Sequence, residues 1–353
     1  MSTETNFRKI QRVEPVIRAD ELGFVVFERR DAQSMARFFE DFGMVRLEDA
    51  PGPSLYFRGY GRAPYCVEII PSNEDSFVGS GFFARNEADL ERLAETAGIP
   101  VESVTAPGGG RRVRLRDPEG WQVDVVCGFR PAAPLQNERA ERTPENTPLK
   151  KLRVDKEVRI PIRPTPVHRL GHVVLFAPNF EVTSCWYMKW LGMLPTDVLT
   201  DAEGYPRGAF FRLNRGEKPS DHHNVAIFAA ASRGVHHVST ETLDVDDIGQ
   251  GQQYLKAKGW KHFWGIGRHL LGSQIFDYWL DPVGLEWEHY ADGDVMTEKY
   301  TEGYHLISRR DLWAWGDDLP SATKPSPGAI ENAPSYLKGL LVEWDKPPRP
   351  WLT

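Results

Sequence analysis

Apolar and polar positions along the first 130 residues follow a repeating order of short strands and one helix. Residues 22–27, Leu-Gly-Phe-Val-Val-Phe, form a β-prone run after a polar lead-in at 1–20. Apolar residues then recur at helical spacing over 32–41, where Asp31 is a candidate N-cap and Gly43 a candidate terminator. Further strand-like runs follow at 54–57 and 65–70. This order predicts one βαβββ-like unit.

A second unit of the same kind follows. It opens with Gly-Phe-Phe-Ala at 81–84 and continues with the helix-like sequence NEADLERLAETAG, for which Asn86 is the candidate cap and Gly98 the candidate stop. Strands are predicted near 113–115 and 121–126, on either side of the turn Asp-Pro-Glu-Gly. The two units together predict a first domain at residues 21–130.

The apolar periodicity stops after residue 130 and then resumes. Seven prolines lie between residues 129 and 166, which predicts a linker at 131–166. The sequence LGHVVL at 170–175 then repeats LGFVVF at an offset of 148 residues, and GHVV at 171–174 resembles HHVS at 236–239. Because several unrelated positions agree, we predict an α+β fold of four βαβββ modules paired into two domains. The second domain is expected at 167–295, followed by a tail at 296–353 that packs on the body, forms a lid or contacts another subunit.

Composition narrows the class of protein. The 353 residues are 41% hydrophobic and 26% charged, which is typical of a soluble globular chain. A net charge of −7 argues against a nucleic-acid partner, and no apolar run approaches the roughly 18 residues of a membrane span. The N-terminus has no signal-peptide core, and three widely spaced cysteines, Cys66, Cys127 and Cys185, are typical of reduced thiols. We therefore expect a cytoplasmic protein.

Histidine is distributed very unevenly. The first 167 residues contain none, and all ten histidines lie between residues 168 and 305. Histidine is the usual neutral metal ligand and the side chain that carries protons near neutral pH. The chemistry is therefore expected in the second half of the chain.

The repeat indicates which residues of the second half could bind a metal. Three polar residues there stand opposite Phe24, Phe82 and Asp124 of the first half, and they are His172, His237 and Glu288. Two imidazoles and one carboxylate on the strands of a single domain form a ligand set that leaves open positions on Fe(II). The first domain has apolar residues at two of the three positions and is not expected to bind a metal in the same way.

At two of the three positions, a neighbouring residue of the same type is a second candidate for the metal ligand. His236 and His237 are expected to face opposite sides of a strand, so only one can reach the metal, and the internal alignment selects His237. Glu286 and Glu288 share a face, so alternation alone does not decide between them. The counterpart Asp124 favours Glu288, which makes Glu286 a rim carboxylate.

These residues fall within an ordered series of motifs, and the series is Gly171-His172, His223-Asn224-Val225-Ala226, His236-His237-Val238, Arg268-His269, Tyr278 and Asp281-Pro282-x-Gly284-x-x-x-Glu288. In this respect residues 20–292 resemble the type I extradiol ring-cleavage dioxygenases of the vicinal oxygen chelate superfamily, such as catechol 2,3-dioxygenase and 2,3-dihydroxybiphenyl dioxygenase. The steps of fourteen residues from His223 to His237 and ten from Tyr278 to Glu288 also look like that family's. The resemblance supports the choice of Glu288.

The resemblance implies an oxidoreductase that opens a catechol-type ring with O2 as co-substrate. It implies Fe(II), or Mn(II), bound by His172, His237 and Glu288, and a homo-oligomer that acts on a small molecule. His269 and Tyr278 would hydrogen-bond the substrate oxygens and favour the anion. His223 would be the acid–base residue, a role that contributes roughly 10²–10⁴-fold in rate.

Two other functions stay open. A keto-acid dioxygenase of the 4-hydroxyphenylpyruvate type would share the domains and the ligand set, but it would not explain His223, His269 and Tyr278 in series. A non-catalytic binding protein would have apolar residues at the ligand positions. No catalytic role is expected for four histidines, His222, His262, His289 and His305. Four aromatic residues fit the wall of the substrate pocket as well as the core, and they are Phe180, Trp186, Trp264 and Phe276.

Overall fold

A computed structural model describes residues 7–137, 139, 144–307 and 312–320 of the chain. These residues contain the helices α1 (Ala32–Phe42), α2 (Glu87–Ala97), α3 (Phe180–Leu191) and α4 (Val245–Ala257). The strands of the first half are β1 (Glu21–Arg29), β2 (Val45–Arg46), β3 (Leu55–Arg58), β4 (Val67–Pro71), β5 (Ser76–Phe83), β6 (Glu102–Ser103), β7 (Arg111–Arg116) and β8 (Gln122–Cys127). They form one sheet in the order β2-β3-β4-β1-β5-β8-β7-β6.

The second half forms a larger sheet of the same design. Its strands are β9 (Arg169–Ala177), β10 (Met193–Thr200), β11 (Pro206–Leu213), β13 (Val225–Ala229), β14 (Gly234–Glu241), β15 (Lys261–Arg268), β16 (Ile275–Leu280), β17 (Glu286–Ala291), β19 (Gly303–Leu306) and β20 (Trp315–Gly316). Their order is β19-β10-β11-β13-β9-β14-β17-β16-β15-β20, and a small separate pair joins β12 (Ser220–Asp221) to β18 (Val295–Met296). In each sheet two βαβββ modules meet through an antiparallel pair, β1 with β5 and β9 with β14. The predicted α+β fold of four paired modules is confirmed.

The helix ends follow the sequence signals. The side chain of Asp31 accepts a hydrogen bond from the Ser34 amide at 2.9 Å, and Asn86 caps α2 in the same way. Gly43 ends α1 with a φ of 106°, and a Cβ at this position would lie 1.6 Å from the Thr165 carbonyl oxygen. Gly43 is therefore required both by the left-handed backbone and by the close approach of the linker.

The two halves share one continuous apolar core, in which helix α1 of the first domain packs against the second sheet. The ring of Phe39 lies 4.7 Å from the ring of Trp287 and 5.1 Å from that of Phe57. The main-chain oxygen of Phe42 accepts a hydrogen bond from His289 Nε2 at 2.8 Å. These contacts hold the core-facing side of strand β17, and the opposite side of the strand carries the candidate metal ligand Glu288.

A substitution at Phe39 tests this shared core. Phe39→Ala is expected to lower the free energy of unfolding by about 3–5 kcal/mol, because it leaves a cavity among buried aromatic rings. Val182→Ala is the control, since Val182 is 50% exposed on α3. Urea titration should give a lower midpoint for Phe39→Ala alone, and equal midpoints for the two variants would contradict the shared core.

The connection between the domains runs across helix α4. Its described residues form no helix or strand. The Thr165 hydroxyl donates to the Asp247 main-chain oxygen at 2.7 Å, and Arg139 pairs with Asp244 and Asp247. No helix among the described residues is long and apolar enough to cross a membrane, and the three cysteines are free thiols.

Part of the tail also belongs to the second sheet. Strand β19 pairs in parallel with β10, and β20 pairs with β15. Trp313 is buried against Trp264, with ring centroids 5.5 Å apart. Residues 321–353, which include the proline-rich end, lie outside the described residues, so their suggested roles as a lid or subunit contact stay predictions.

Candidate active site

Three ligand-type side chains converge at the centre of the second sheet. His172 lies on β9, His237 on β14 and Glu288 on β17, which are adjacent strands. His172 and Glu288 both pair with Ser239 of β14 in the strand register, and His237 precedes Ser239 by two residues on the same face. His172 Nε2 is 3.2 Å from His237 Nε2 and 3.1 Å from Glu288 Oε2, and His237 Nε2 is 3.7 Å from that oxygen. The register of three strands thus brings all three donors to one point.

This donor set fits a divalent cation. Three neighbouring ligands that each lie roughly 2.1 Å from one ion are about 3 Å apart, close to the separations seen here. Among the described residues, neither carboxylate oxygen of Glu288 has a hydrogen-bond partner of normal geometry, although the side chain is fully buried. A buried carboxylate without such partners is costly unless it is paired with a cation. The same three residues form a group able to hold a metal ion.

Protonation states agree with metal binding. Burial, followed by the neighbouring imidazole of His236, lowers the pKa of His237 well below its usual value, so this imidazole is neutral. Burial alone would raise the pKa of Glu288, but contacts with His172 and His269 outweigh it and lower the pKa. A neutral imidazole and an anionic carboxylate are the forms that bind metals.

The expectation that His236 and His237 face opposite sides of the strand is wrong. The pairing between β9 and β14 shifts between Val235 and His237, which marks a bulge. His236 Nδ1 consequently lies 2.8 Å from His237 Nδ1, and both rings line one cavity. His237 still presents Nε2 to the other two donors, and His236 contacts its opposite nitrogen.

The first sheet shows one wrong correspondence in the internal alignment. Phe24 and Asp124 both pair with Gly81, as His172 and Glu288 pair with Ser239. The position equivalent to His237 is therefore Gly79, two residues before Gly81, and not Phe82. Phe82 packs in the core instead. The Asp124 carboxylate is held by Arg114 at 2.9 and 3.0 Å. Arg114 pairs with Asp124 as Tyr278 pairs with Glu288, so in the first sheet an arginine stands at the position of Tyr278.

His223 lies at the edge of the same cavity, between β12 and β13. Its ring centroid is 4.0 Å from that of His172, and its Nδ1 is 3.0 Å from His222 Nδ1. Burial, followed by the neighbouring imidazoles of His172 and His222, lowers the pKa of His223 well below its usual value. The neutral ring can therefore accept a proton.

His269 and Tyr278 form a hydrogen-bonded pair on the opposite side of the donors. His269 Nδ1 lies 2.7 Å from the Leu312 carbonyl oxygen and must donate to it, which leaves Nε2 as an acceptor. The Tyr278 hydroxyl donates to this Nε2 at 2.9 Å. Burial, followed by the charge of Glu288, raises the pKa of Tyr278 well above its usual value, so the hydroxyl keeps its proton. The pair thus offers one proton, that of the Tyr278 hydroxyl, next to the three candidate metal ligands.

A cavity of about 300 Å³ opens above these groups. Besides the histidines, Tyr278, Gln274 and Glu286, it is lined by apolar side chains, namely Val174, Leu199, Phe210, Phe228, Phe263, Trp264, Leu271, Leu312 and Leu319. No lysine or arginine is among the described residues that line it. All six residues expected at the site, His172, His223, His237, His269, Tyr278 and Glu288, lie in or beside this cavity.

The structure shows which of the four candidate aromatic residues line the cavity. Of the four aromatic residues considered, Trp264 lines the cavity, and Phe276 stacks behind His269 at a centroid distance of 4.1 Å. Phe180 is part of the core, and Trp186 packs against it. Leu312 and Leu319 also line the wall, and no local sequence pattern marks where a tail residue packs.

Four further histidines do not line the cavity. His289 is fully buried and its ring stacks on Phe42 at 3.7 Å. His262 Nε2 lies 2.7 Å from an oxygen of the buried Asp277. His222 and His305 both contact Asp197.

Comparisons with known proteins found a matching family model and a similar protein. Residues 169–289 match the model of the Glyoxalase/Bleomycin resistance protein/Dioxygenase superfamily. Metapyrocatechase 2 of Cupriavidus necator is 26% identical over 275 residues, covering 73% of this chain and 81% of the relative.

Solved structures share the fold. A Mn(II)-bound glyoxalase from Novosphingobium aromaticivorans is 24% identical and superposes with a TM-score of 0.71, covering 88% of this chain and 95% of its own. Homoprotocatechuate 2,3-dioxygenase from Brevibacterium fuscum, in an anaerobic substrate complex, is 18% identical with a TM-score of 0.71, covering 89% of this chain and 94% of its own. Residues 169–289 therefore match the glyoxalase/bleomycin resistance protein/dioxygenase superfamily, and the chain is similar over most of its length to a metapyrocatechase.

Proposed function

We propose that the chain is an extradiol ring-cleavage dioxygenase that inserts both atoms of O2 into a catechol-type diol. The observation that carries this proposal is the placement of His223 and the His269–Tyr278 pair on two sides of the His172, His237 and Glu288 donors. Two imidazoles and a carboxylate alone would serve many reactions, whereas this reaction also needs groups that handle the two diol protons. Because both oxygen atoms enter the product, no external reductant is needed.

The ligand set suits Fe(II), with Mn(II) as the alternative. When bound, the ion would supply open coordination positions for a catechol and O2 and the redox chemistry between them. The chain's own task is to fix the three donors, and the shared register with Ser239 does so through the backbone of neighbouring strands.

The proton-handling residues would divide their work by position. Tyr278 keeps its hydroxyl proton, which it donates to His269 Nε2 in the structure. With a catechol bound, the hydroxyl would donate this hydrogen bond to a substrate oxygen instead, which favours the catechol anion. His269, held by the Leu312 carbonyl, would keep Nε2 beside that hydroxyl. His223 is neutral and lies on the other side of the donors, where it would take the second diol proton and later return it.

The apolar wall supports a narrower substrate class, catechols with alkyl or aryl substituents. Phe210, Phe228 and Leu271 offer apolar surface, and burial of each methylene contributes about 0.8 kcal/mol. A carboxylate on the ring would meet Glu286 and no cation among the described lining residues, and an unpaired buried charge is costly.

Oxygen uptake with a panel of catechols tests the proposed substrate class. We expect kcat/KM for 3-propylcatechol to exceed that for 3,4-dihydroxyphenylacetate by roughly tenfold or more, as the methylene contribution implies. The variant Leu271→Arg adds a cation to the wall and should narrow this ratio. A wild-type preference for the carboxylated diol would contradict the apolar class while leaving the ring-cleavage reaction intact.

A further inference from the structure

A chain of hydrogen-bonded polar groups runs from His223 away from the cavity. His222 Nδ1 lies 3.0 Å from His223 Nδ1, and His222 Nε2 lies 2.7 Å from Asp197 Oδ2. The other oxygen, Asp197 Oδ1, lies 2.7 Å from His305 Nε2. His222 and Asp197 are 1% and 5% exposed, whereas His305 on strand β19 is partly exposed. This series of hydrogen bonds therefore connects the cavity to the partly exposed His305.

The direction of each hydrogen bond follows from the carboxylate. Burial alone would raise the pKa of Asp197, but the hydrogen bonds from His222 and His305 outweigh it and lower the pKa, so the group is anionic and can only accept. His222 Nε2 must then carry a proton and donate it. In a neutral His222 ring Nδ1 then has a lone pair, and His223 Nδ1 donates to that lone pair.

The ring of His222 is held in this orientation from several sides. Its main-chain amide donates to the Asp294 carbonyl at 2.9 Å, and the Phe210 ring lies 5.6 Å from the His222 ring. Gly272 has a φ of 82°, and a Cβ there would lie 3.1 Å from His222 Cγ and Nδ1. These contacts hold the His222 ring with Nδ1 towards His223 and Nε2 towards Asp197.

We propose that Asp197 and His222 are positioning residues that fix His223 as the Nδ1–H tautomer, which leaves His223 Nε2 as the nitrogen that exchanges a proton with the substrate. Nδ1 of His223 is directed to His222, so Nε2 is the nitrogen left for the cavity that the ring lines. The part concerning the substrate proton rests on the proposed function. The tautomer itself does not, because it follows from the hydrogen bonds of a neutral His222. The inference gives His222 and Asp197 a role that the motif series does not assign.

Nuclear magnetic resonance tests the tautomer without any activity. Long-range ¹H–¹⁵N correlations of histidine-labelled, metal-free protein distinguish protonated from unprotonated ring nitrogens, and the signals lost in His223→Gln identify those of His223. We expect a protonated Nδ1 and an unprotonated Nε2. A protonated Nε2 at His223 in the wild-type protein would overturn the proposal.

Two substitutions at His222 provide the matched kinetic test. The Oδ1 of His222→Asn can occupy the place of Nδ1 and still accept from His223, whereas His222→Leu removes the acceptor. We expect His222→Leu to lower kcat by roughly 10- to 100-fold with unchanged metal content and catechol KM, and His222→Asn to stay within about threefold of wild type. His305→Gln should also stay close to wild type, because Asp197 still accepts from His222.

The results of these experiments distinguish the positioning role of His222 from the proposed ring-cleavage function. Equal losses in His222→Leu and His222→Asn, at unchanged metal content, would show that His222 acts by packing alone and would overturn the positioning role. A wild-type protein with the expected His223 tautomer and no ring-cleavage activity would contradict the proposed function and uphold the tautomer assignment.

Discussion

Replacing Glu288 with glutamine is expected to remove the bound metal and, with it, all oxygen uptake. The carboxylate is fully buried next to His172 Nε2 at 3.1 Å, and the neutral amide would supply neither its charge nor a second anionic oxygen. Loss of groups that merely orient a ligand costs roughly 10–100-fold in metal affinity, so loss of a ligand itself should exceed that range. Metal analysis of anaerobically purified protein measures the effect, and we expect about one iron per wild-type chain.

Glu286→Gln is the matched control for this experiment. Glu286 lies two residues earlier on the same face of β17, but its carboxylate is 3.7 Å from His236 Nδ1 and not at the three-donor centre. The variant should keep its metal. Loss of metal in Glu286→Gln with retention in Glu288→Gln would contradict the assignment of Glu288 as the ligand.

Replacing His223 with phenylalanine is expected to slow turnover by roughly 10²–10⁴-fold while metal and catechol binding stay unchanged. The new ring can keep the packing against His172, whose centroid is 4.0 Å away, but it cannot exchange a proton. Single-turnover kinetics should show catechol binding at the normal rate followed by slow ring opening.

His262→Gln is the control for this variant. His262 lies outside the described cavity lining and bonds Asp277, so its replacement tests the general effect of losing an imidazole from this sheet. Unchanged turnover in His223→Phe would remove His223 from the proton-handling role.

The fold could be predicted from sequence because its signals are local and repeated. Asp31 and Gly43 bracket helix α1 where expected, and the repeat of residues 22–27 at 170–175 marks the first strand of each domain. Each cap satisfies backbone groups of its own helix, so the sequence nearby contains the whole signal. The three-donor group also appears in the repeat, because its residues interrupt apolar strands.

The details that could not be predicted depend on contacts between distant segments. The bulge before His237 arises from its pairing with β9, and it turns His236 toward the same cavity. The correspondence of His237 with Gly79 depends on the strand register, which residue similarity did not reveal. The contact between Asp197 and His222 joins strand β10 to the segment between β12 and β13, across 25 residues of chain. Each of these details depends on how segments that are distant in sequence pack together.

The proposed insertion of both atoms of O2 into one catechol can be measured directly. Fe(II)-loaded protein should be mixed with 3-propylcatechol under ¹⁸O2, and the product analysed by mass spectrometry. We expect a yellow ring-opened product that contains two labelled oxygen atoms, with one O2 consumed for each catechol. Consumption of O2 with no label in the product, or an unchanged catechol at full iron occupancy, would contradict it.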